Sequence, residues 1–111
     1  MATHALDREI ALSRVGGDTE LLKEIAALFL ENYNVWLGEL HQAVSRGDAK
    51  AVEQAAHGLK GSVANFGAQA VVEAALKLES VGRSRDLTDV SSSLTALESA
   101  LAALRPELES L

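Results

Sequence analysis

The chain has 111 residues, of which 48% are apolar and only 4% aromatic, and its formal net charge is −6. An acidic balance of this size argues against a nucleic-acid partner, whose phosphates need a basic surface, and against attraction to anionic lipid. Cysteine is absent, which removes disulfides and thiolate chemistry and fits a reducing, cytoplasmic setting. No apolar run approaches the ~20 residues of a membrane span, and the opening residues lack a signal-peptide core.

The predicted elements follow from punctuation. Asp7 can cap a short helix over residues 8–15 that stops at Gly16-Gly17. Asp18 then caps a long helix over residues 19–46, with Leu22, Ile25, Phe29, Tyr33, Trp36, Leu40 and Val44 at intervals of three and four. Arg46-Gly47-Asp48 resembles an adhesion tripeptide, but reads better as one helix end followed by the next cap. A helix over residues 49–66 carries the stripe Val52, Ala56, Leu59, Val63 and Phe66, and Gly67 can close it. Next comes a helix over residues 68–81 with Val71, Val72, Ala75, Leu76, Leu78 and Glu79, ended by Gly82. The loop through Arg83 and Arg85 leads to a last helix over residues 87–105, frayed or ended by Pro106. No segment alternates as a strand does. Short connections make neighbouring helices antiparallel. The expectation is an all-α fold of one domain, residues 1–111: an antiparallel up-down four-helix bundle with a short additional N-terminal helix.

Chemistry concentrates in the segment from Ala55 to Ala68. At ~100° per residue, His57 lies roughly 140° from the centre of its helix's apolar stripe and should face solvent. Its neighbours one turn away are Glu53 on one side and Lys60 and Gly61 on the other, then Ala64. Gly58 and Gly61 lie inside a helix, each at a cost of about 1 kcal/mol relative to alanine. Gly61 has an evident use, because a side chain there would obstruct the ring. The Lys60 ammonium can reach an anion held on the imidazole. Neutral imidazole, the nucleophile of phosphoryl transfer, is an abundant form of histidine at cellular pH. On these grounds alone the histidine could be nucleophile, ligand or a residue without a role.

The run His57-x-Leu59-Lys60-Gly61-Ser62, followed by Asn65-Phe66-Gly67-Ala68, resembles the active segment of the histidine-containing phosphotransfer (HPt) domain family, of the bacterial two-component phosphorelay type. Gly16-Gly17-Asp18 with Glu20-Leu21-Leu22, and Gly47-Asp48 before the active helix, are similar to that family as well. The last helix is similar only in its periodicity, and Gly58 departs from the polar or larger residue more usual there. The resemblance implies that His57 is the phosphoacceptor through Nε2 and that Lys60 and Gly61 serve the phosphate; Glu53 and Ala64, stacked beside His57, are candidates for partner docking. It implies a carrier rather than an enzyme, which takes a phosphoryl group from a receiver-domain phospho-aspartate and passes it to a second receiver. Response-regulator receivers, or a hybrid histidine kinase, are the implied partners. The chain needs no cofactor of its own, Mg²⁺ belonging to the receiver. A monomer is expected.

Other residues read as structural. Ser62 falls on the far side of the helix from His57, so packing or a back-bonded hydroxyl suits it better than a phosphate contact. Asn65 and Gly67 read as helix-end residues. His4 and His41 lack a Gly-Lys companion and read as solvated. No histidines stand at i, i+4 and no HExxH pattern occurs, so no metal site is expected. No Gly-rich phosphate loop follows a strand, which leaves no ATP site and no autokinase activity. Glu31, Glu39, Glu73 and Glu79 read as solvated helix faces, and Tyr33 and Trp36 as core. Two rivals remain: an adaptor bundle that binds receivers without transfer, and a kinase dimerisation bundle whose core needs two chains.

Overall fold

The computed structural model describes residues 5–111, so His4 lies outside the described residues. Five helices follow one another: α1 (Arg8–Arg14), α2 (Thr19–Arg46), α3 (Ala49–Ala64), α4 (Gln69–Ser84) and α5 (Val90–Glu109), and no strand occurs among the described residues. Three begin alike. The carboxylates of Asp7, Asp18 and Asp48 accept from the backbone N–H three residues on, at Ile10, Leu21 and Ala51, each at 3.1 Å. Each cap satisfies one of the N–H groups that a helix start leaves unpaired.

At ~1.5 Å per residue, the 28 residues of α2 make a rod of about 42 Å, which matches the 41 Å length of the molecule. The other helices pack along it. α2, α3, α4 and α5 close a ring, each touching the next and α5 returning to α2, with α3 and α4 the most extensive pair. The α3–α4 side-chain pairs His57 with Glu79 and Glu53 with Arg83 run in opposite senses along the chain, as antiparallel helices require. Inside lie Leu40, Leu59, Phe66, Leu78, Leu97 and Leu104, all with essentially no exposure. Among the described residues no helix is long and apolar enough to cross a membrane.

Four helix boundaries differ from the sequence-based expectation by two residues or more. α3 stops at Ala64 rather than at 66, and Asn65-Phe66-Gly67 forms a turn. The turn is useful because the Phe66 carbonyl accepts from Asp7 N–H at 3.1 Å and the Phe66 ring meets Phe29 edge-on at 5.5 Å. Gly82 does not end α4, which runs on to Ser84 and finishes on Arg85 in the left-handed conformation (φ 64°). The glycine is instead buried within the helix, where α4 approaches α3. Pro106 does not end α5, which continues to Glu109. Proline there removes one hydrogen bond to the preceding turn. The extra turn is held by Leu108 in the core and by the Glu107 carboxylate, which accepts from Ala5 and Leu6 N–H at 2.7 and 3.3 Å. α5 also starts at residue 90 rather than 87, because the Asp86 carboxylate bonds the backbone and hydroxyl of Thr88 in a local turn.

Candidate functional site

His57 stands near the middle of α3 with its side chain 69% exposed. The apolar stripe of α3 fixes that orientation: Val52, Ala56, Leu59 and Val63 are all buried on the opposite side. The ring is nevertheless held. Its Nδ1 lies 3.1 Å from Oε2 of Glu79 on α4.

Glu79 is the main correction to the sequence reading. It is not on a solvated face; its side chain is only 4% exposed. It follows Val71, Ala75 and Leu78 on the buried side of α4, and a carboxylate there needs partners. It has three. Lys60 Nζ donates to Oε1 at 2.7 Å, while Arg83 Nη2 at 2.8 Å shares Oε2 with His57. The Lys60 hydrogen bond, helped by that from His57, outweighs burial and holds the Glu79 carboxyl below the ordinary carboxylate range. It is therefore an ionised acceptor at neutral pH. Nδ1 must then be the donor, and a neutral ring so bonded carries its free lone pair on Nε2, toward solvent. The tautomer is assigned by the partner.

Arg83 extends the network. Its Nε donates to Oε2 of Glu53 at 2.9 Å, and the two carboxylates, Glu53 first, raise the already high affinity of its guanidinium for the proton. The charges of Glu53, Glu79, Lys60 and Arg83 cancel among themselves, so the imidazole stands beside two cations that are already paired. Arg83 was missed in the sequence because it was placed in a loop after Gly82. Continuing the α4 register one more turn puts it four residues past Glu79, on the same face. A charged residue within an apolar stripe was the available signal for Glu79, and the i, i+4 register from it the signal for Arg83.

The remaining residues singled out in the sequence separate. Lys60 is half-buried with its ammonium on Glu79, so it is a bound cation with two further N–H donors. Glu53 is paired to Arg83 and Ala64 is half-buried. A Cβ added at Gly61 or at Gly58 meets nothing within 4 Å, so nothing inside the molecule requires glycine at either place. The Ser62 hydroxyl donates back to the Gly58 carbonyl at 3.2 Å. His41, rather than standing free, lies 3.3 Å from Glu98 on α5. Tyr33 and Trp36 pack on Phe29 with ring centres 5.9 and 5.8 Å away, but are only half-buried. Trp36 also lines a shallow groove of about 180 Å³ between α2 and α3, with Ile25, Leu28, Asn32, Ser62 and Asn65. Among the described residues no cluster of three His, Cys, Asp or Glu side chains is placed to hold a metal ion.

The bundle thus presents the His57 imidazole on its surface, anchored from beneath by a buried carboxylate and flanked by cations. Residues 24–107 match the Hpt domain family, and the chain belongs to that family, whose members serve histidine phosphotransfer in phosphorelays, generally as carriers without kinase activity. The crystal structure of histidine-containing phosphotransfer protein B (HptB) from Pseudomonas aeruginosa PAO1 is similar, with a TM-score of 0.90 and 24% identity over 98% of this chain and 95% of that one. That likeness speaks for the fold. No curated protein matches the sequence.

Proposed function

We propose that this protein is a phosphorelay intermediate whose His57 Nε2 accepts a phosphoryl group from the phospho-aspartate of one receiver domain and passes it to the aspartate of another. The observation that carries the reading is the exposed ring with Nδ1 bonded to buried Glu79, which directs the Nε2 lone pair outward. In the forward step the Nε2–P bond forms as the aspartyl O–P bond breaks, and the aspartate leaves as a carboxylate. The ring gains positive charge, and Glu79 stabilises it through Nδ1–H without taking the proton. Lys60 and Arg83 supply donors beside the ring for the phosphoryl oxygens, so catalysis is mostly positioning and charge neutralisation. Return transfer runs the same step backward, with neutral imidazole as the leaving group.

Mg²⁺ and the acceptor carboxylates belong to the receiver in this scheme, and the carrier needs no cofactor. Gly61 leaves room for the approaching receiver, because its bare backbone adjoins His57 and nothing internal fills the space. The α2–α3 groove supplies the apolar docking surface, continued by Leu21, Leu28 and Val35, which stand seven residues apart on α2 and are 40%, 58% and 57% exposed. Four helices of one chain already close the ring, which favours a monomer over a bundle shared between two kinase chains. We place the relay in the cytoplasm.

The test is direct. A receiver carrying labelled phospho-aspartate is mixed with the protein, and acid-labile, base-stable label is followed. Label on the wild type and none on His57→Gln is the expected result. A wild type that binds the receiver but takes no label overturns the relay and leaves a non-transferring adaptor.

A further inference from the structure

We propose that Gly82 is a positioning residue for this chemistry: its missing side chain lets the α3 and α4 backbones touch, and that contact sets the length of the His57–Glu79 hydrogen bond. The inference rests on the phosphotransfer reading above and adds a residue that touches no reacting atom.

A Cβ at Gly82 would lie 2.6 Å from the Glu53 backbone nitrogen, 2.7 Å from the Ala49 carbonyl oxygen and 3.0 Å from Glu53 Cα. All three are backbone atoms, so no side-chain rotation can relieve the overlap; the helices themselves must part. Ordinary contact begins near 3.4 Å, so the separation needed is roughly 0.8 Å. The contact lies close to the chemistry along both helices. Glu53 is one turn before His57, and Gly82 is one turn after Glu79 and adjacent to Arg83.

The hydrogen bond cannot absorb that movement. At 3.1 Å the Nδ1–Oε2 distance is already at the long end of the useful range, and a further ~0.8 Å would end it. Glutamate is the longest natural carboxylate, so no substitution at 79 could restore the reach. The Glu53–Arg83 bond at 2.9 Å spans the same two helices and would stretch with it. By contrast, the other glycines within helices, Gly38, Gly58 and Gly61, have nothing within 4 Å of an added Cβ. Gly82 is the glycine in a described helix whose bareness the packing uses, and it lies beside the site.

The experiment compares wild type, Gly82→Ala and Leu97→Val, the last a mild core change on α5 away from His57. Two quantities are read on the folded fraction: the ¹⁵N signals of the His57 ring, and the transfer rate from a phosphorylated receiver as a function of receiver concentration. Trimethylamine N-oxide is added to all three proteins at a concentration that restores wild-type helix content to Gly82→Ala. In Gly82→Ala the ring signals should move from one tautomer toward a mixture. The rate at saturating receiver should fall roughly tenfold to a hundredfold, with the half-saturating concentration changed less than about twofold. Leu97→Val should lose stability and keep both readouts. Wild-type ring signals and rate in Gly82→Ala, or equal losses in Leu97→Val, would overturn the positioning role alone. Absence of label on the wild type would overturn the phosphotransfer reading instead.

Discussion

Glu79 is the residue on which the electrostatics of the site converge. Because its carboxyl is held below its ordinary value, its ion pairs add stability that is present above that ordinary value, near 4.5, and lost as pH falls through the lowered native one. Acid unfolding should therefore begin at lower pH in Glu79→Gln than a uniform loss of stability would give, with the two proteins' stabilities converging below pH 4.5. Circular dichroism against pH checks this; parallel curves would contradict it. At neutral pH the same substitution leaves Lys60 and Arg83 without their shared anion and should cost about 1–3 kcal/mol, measured by urea titration.

Gly61 makes the complementary case. An added side chain there meets nothing in the free protein, and removing a mid-helix glycine favours the helix. Gly61→Gln should raise stability by up to about 1 kcal/mol, a few degrees in Tm, while slowing transfer from a phosphorylated receiver at least tenfold. Opposite signs in the two assays are the diagnostic result, since a glycine kept for packing would lose both.

At the scale of elements, the turn between α3 and α4 ties three helices together. Gly67 adopts φ 61°, and a Cβ there would lie 2.7 Å from Asp7 Cβ and 3.0 Å from Ile10 Cβ. The close approach lets Asp7 N–H reach the Phe66 carbonyl, which seats α1 on the end of α3. Gly67→Ala combines left-handed strain with overlap and should cost roughly 1–3 kcal/mol. Amide exchange would show the earliest opening at α1. The His57 ring signals should be unchanged, because the α3–α4 contact at Gly82 with Glu53 and Ala49 is about four turns away from Gly67.

For the molecule as a whole, the proposed docking stripe lies apart from the core. The ring of α2 to α5 buries its apolar stripes inward, yet leaves Leu21, Leu28 and Val35 exposed along α2 beside the groove. These three contribute little to the fold, and a stripe of that kind is suited to a transient partner. Leu28→Glu should shift stability by no more than about 0.5 kcal/mol. It should weaken receiver binding at least tenfold in a calorimetric titration, with His57 still phosphorylated at high receiver concentration.

Local rules in the sequence were enough for the all-α class and for which side of α3 is wet: three aspartate caps and the 3.6-residue apolar period act within a few residues of each other. They also placed Lys60 and Gly61 one turn from His57, because i, i+3 and i, i+4 neighbours on one helix need no other element. Helix ends were less legible. Gly82 and Pro106 are breakers by local propensity, but packing against α3 and the burial of Leu108 carry the chain through both. The partner of the imidazole was not legible at all. Glu79 lies 22 residues from His57, and its charge suggested solvent until α4 was packed on α3. Local chemistry determined the imidazole and its exposure. The distance between two helix backbones decided what holds it, because such a distance is a property of packing that no single helix contains.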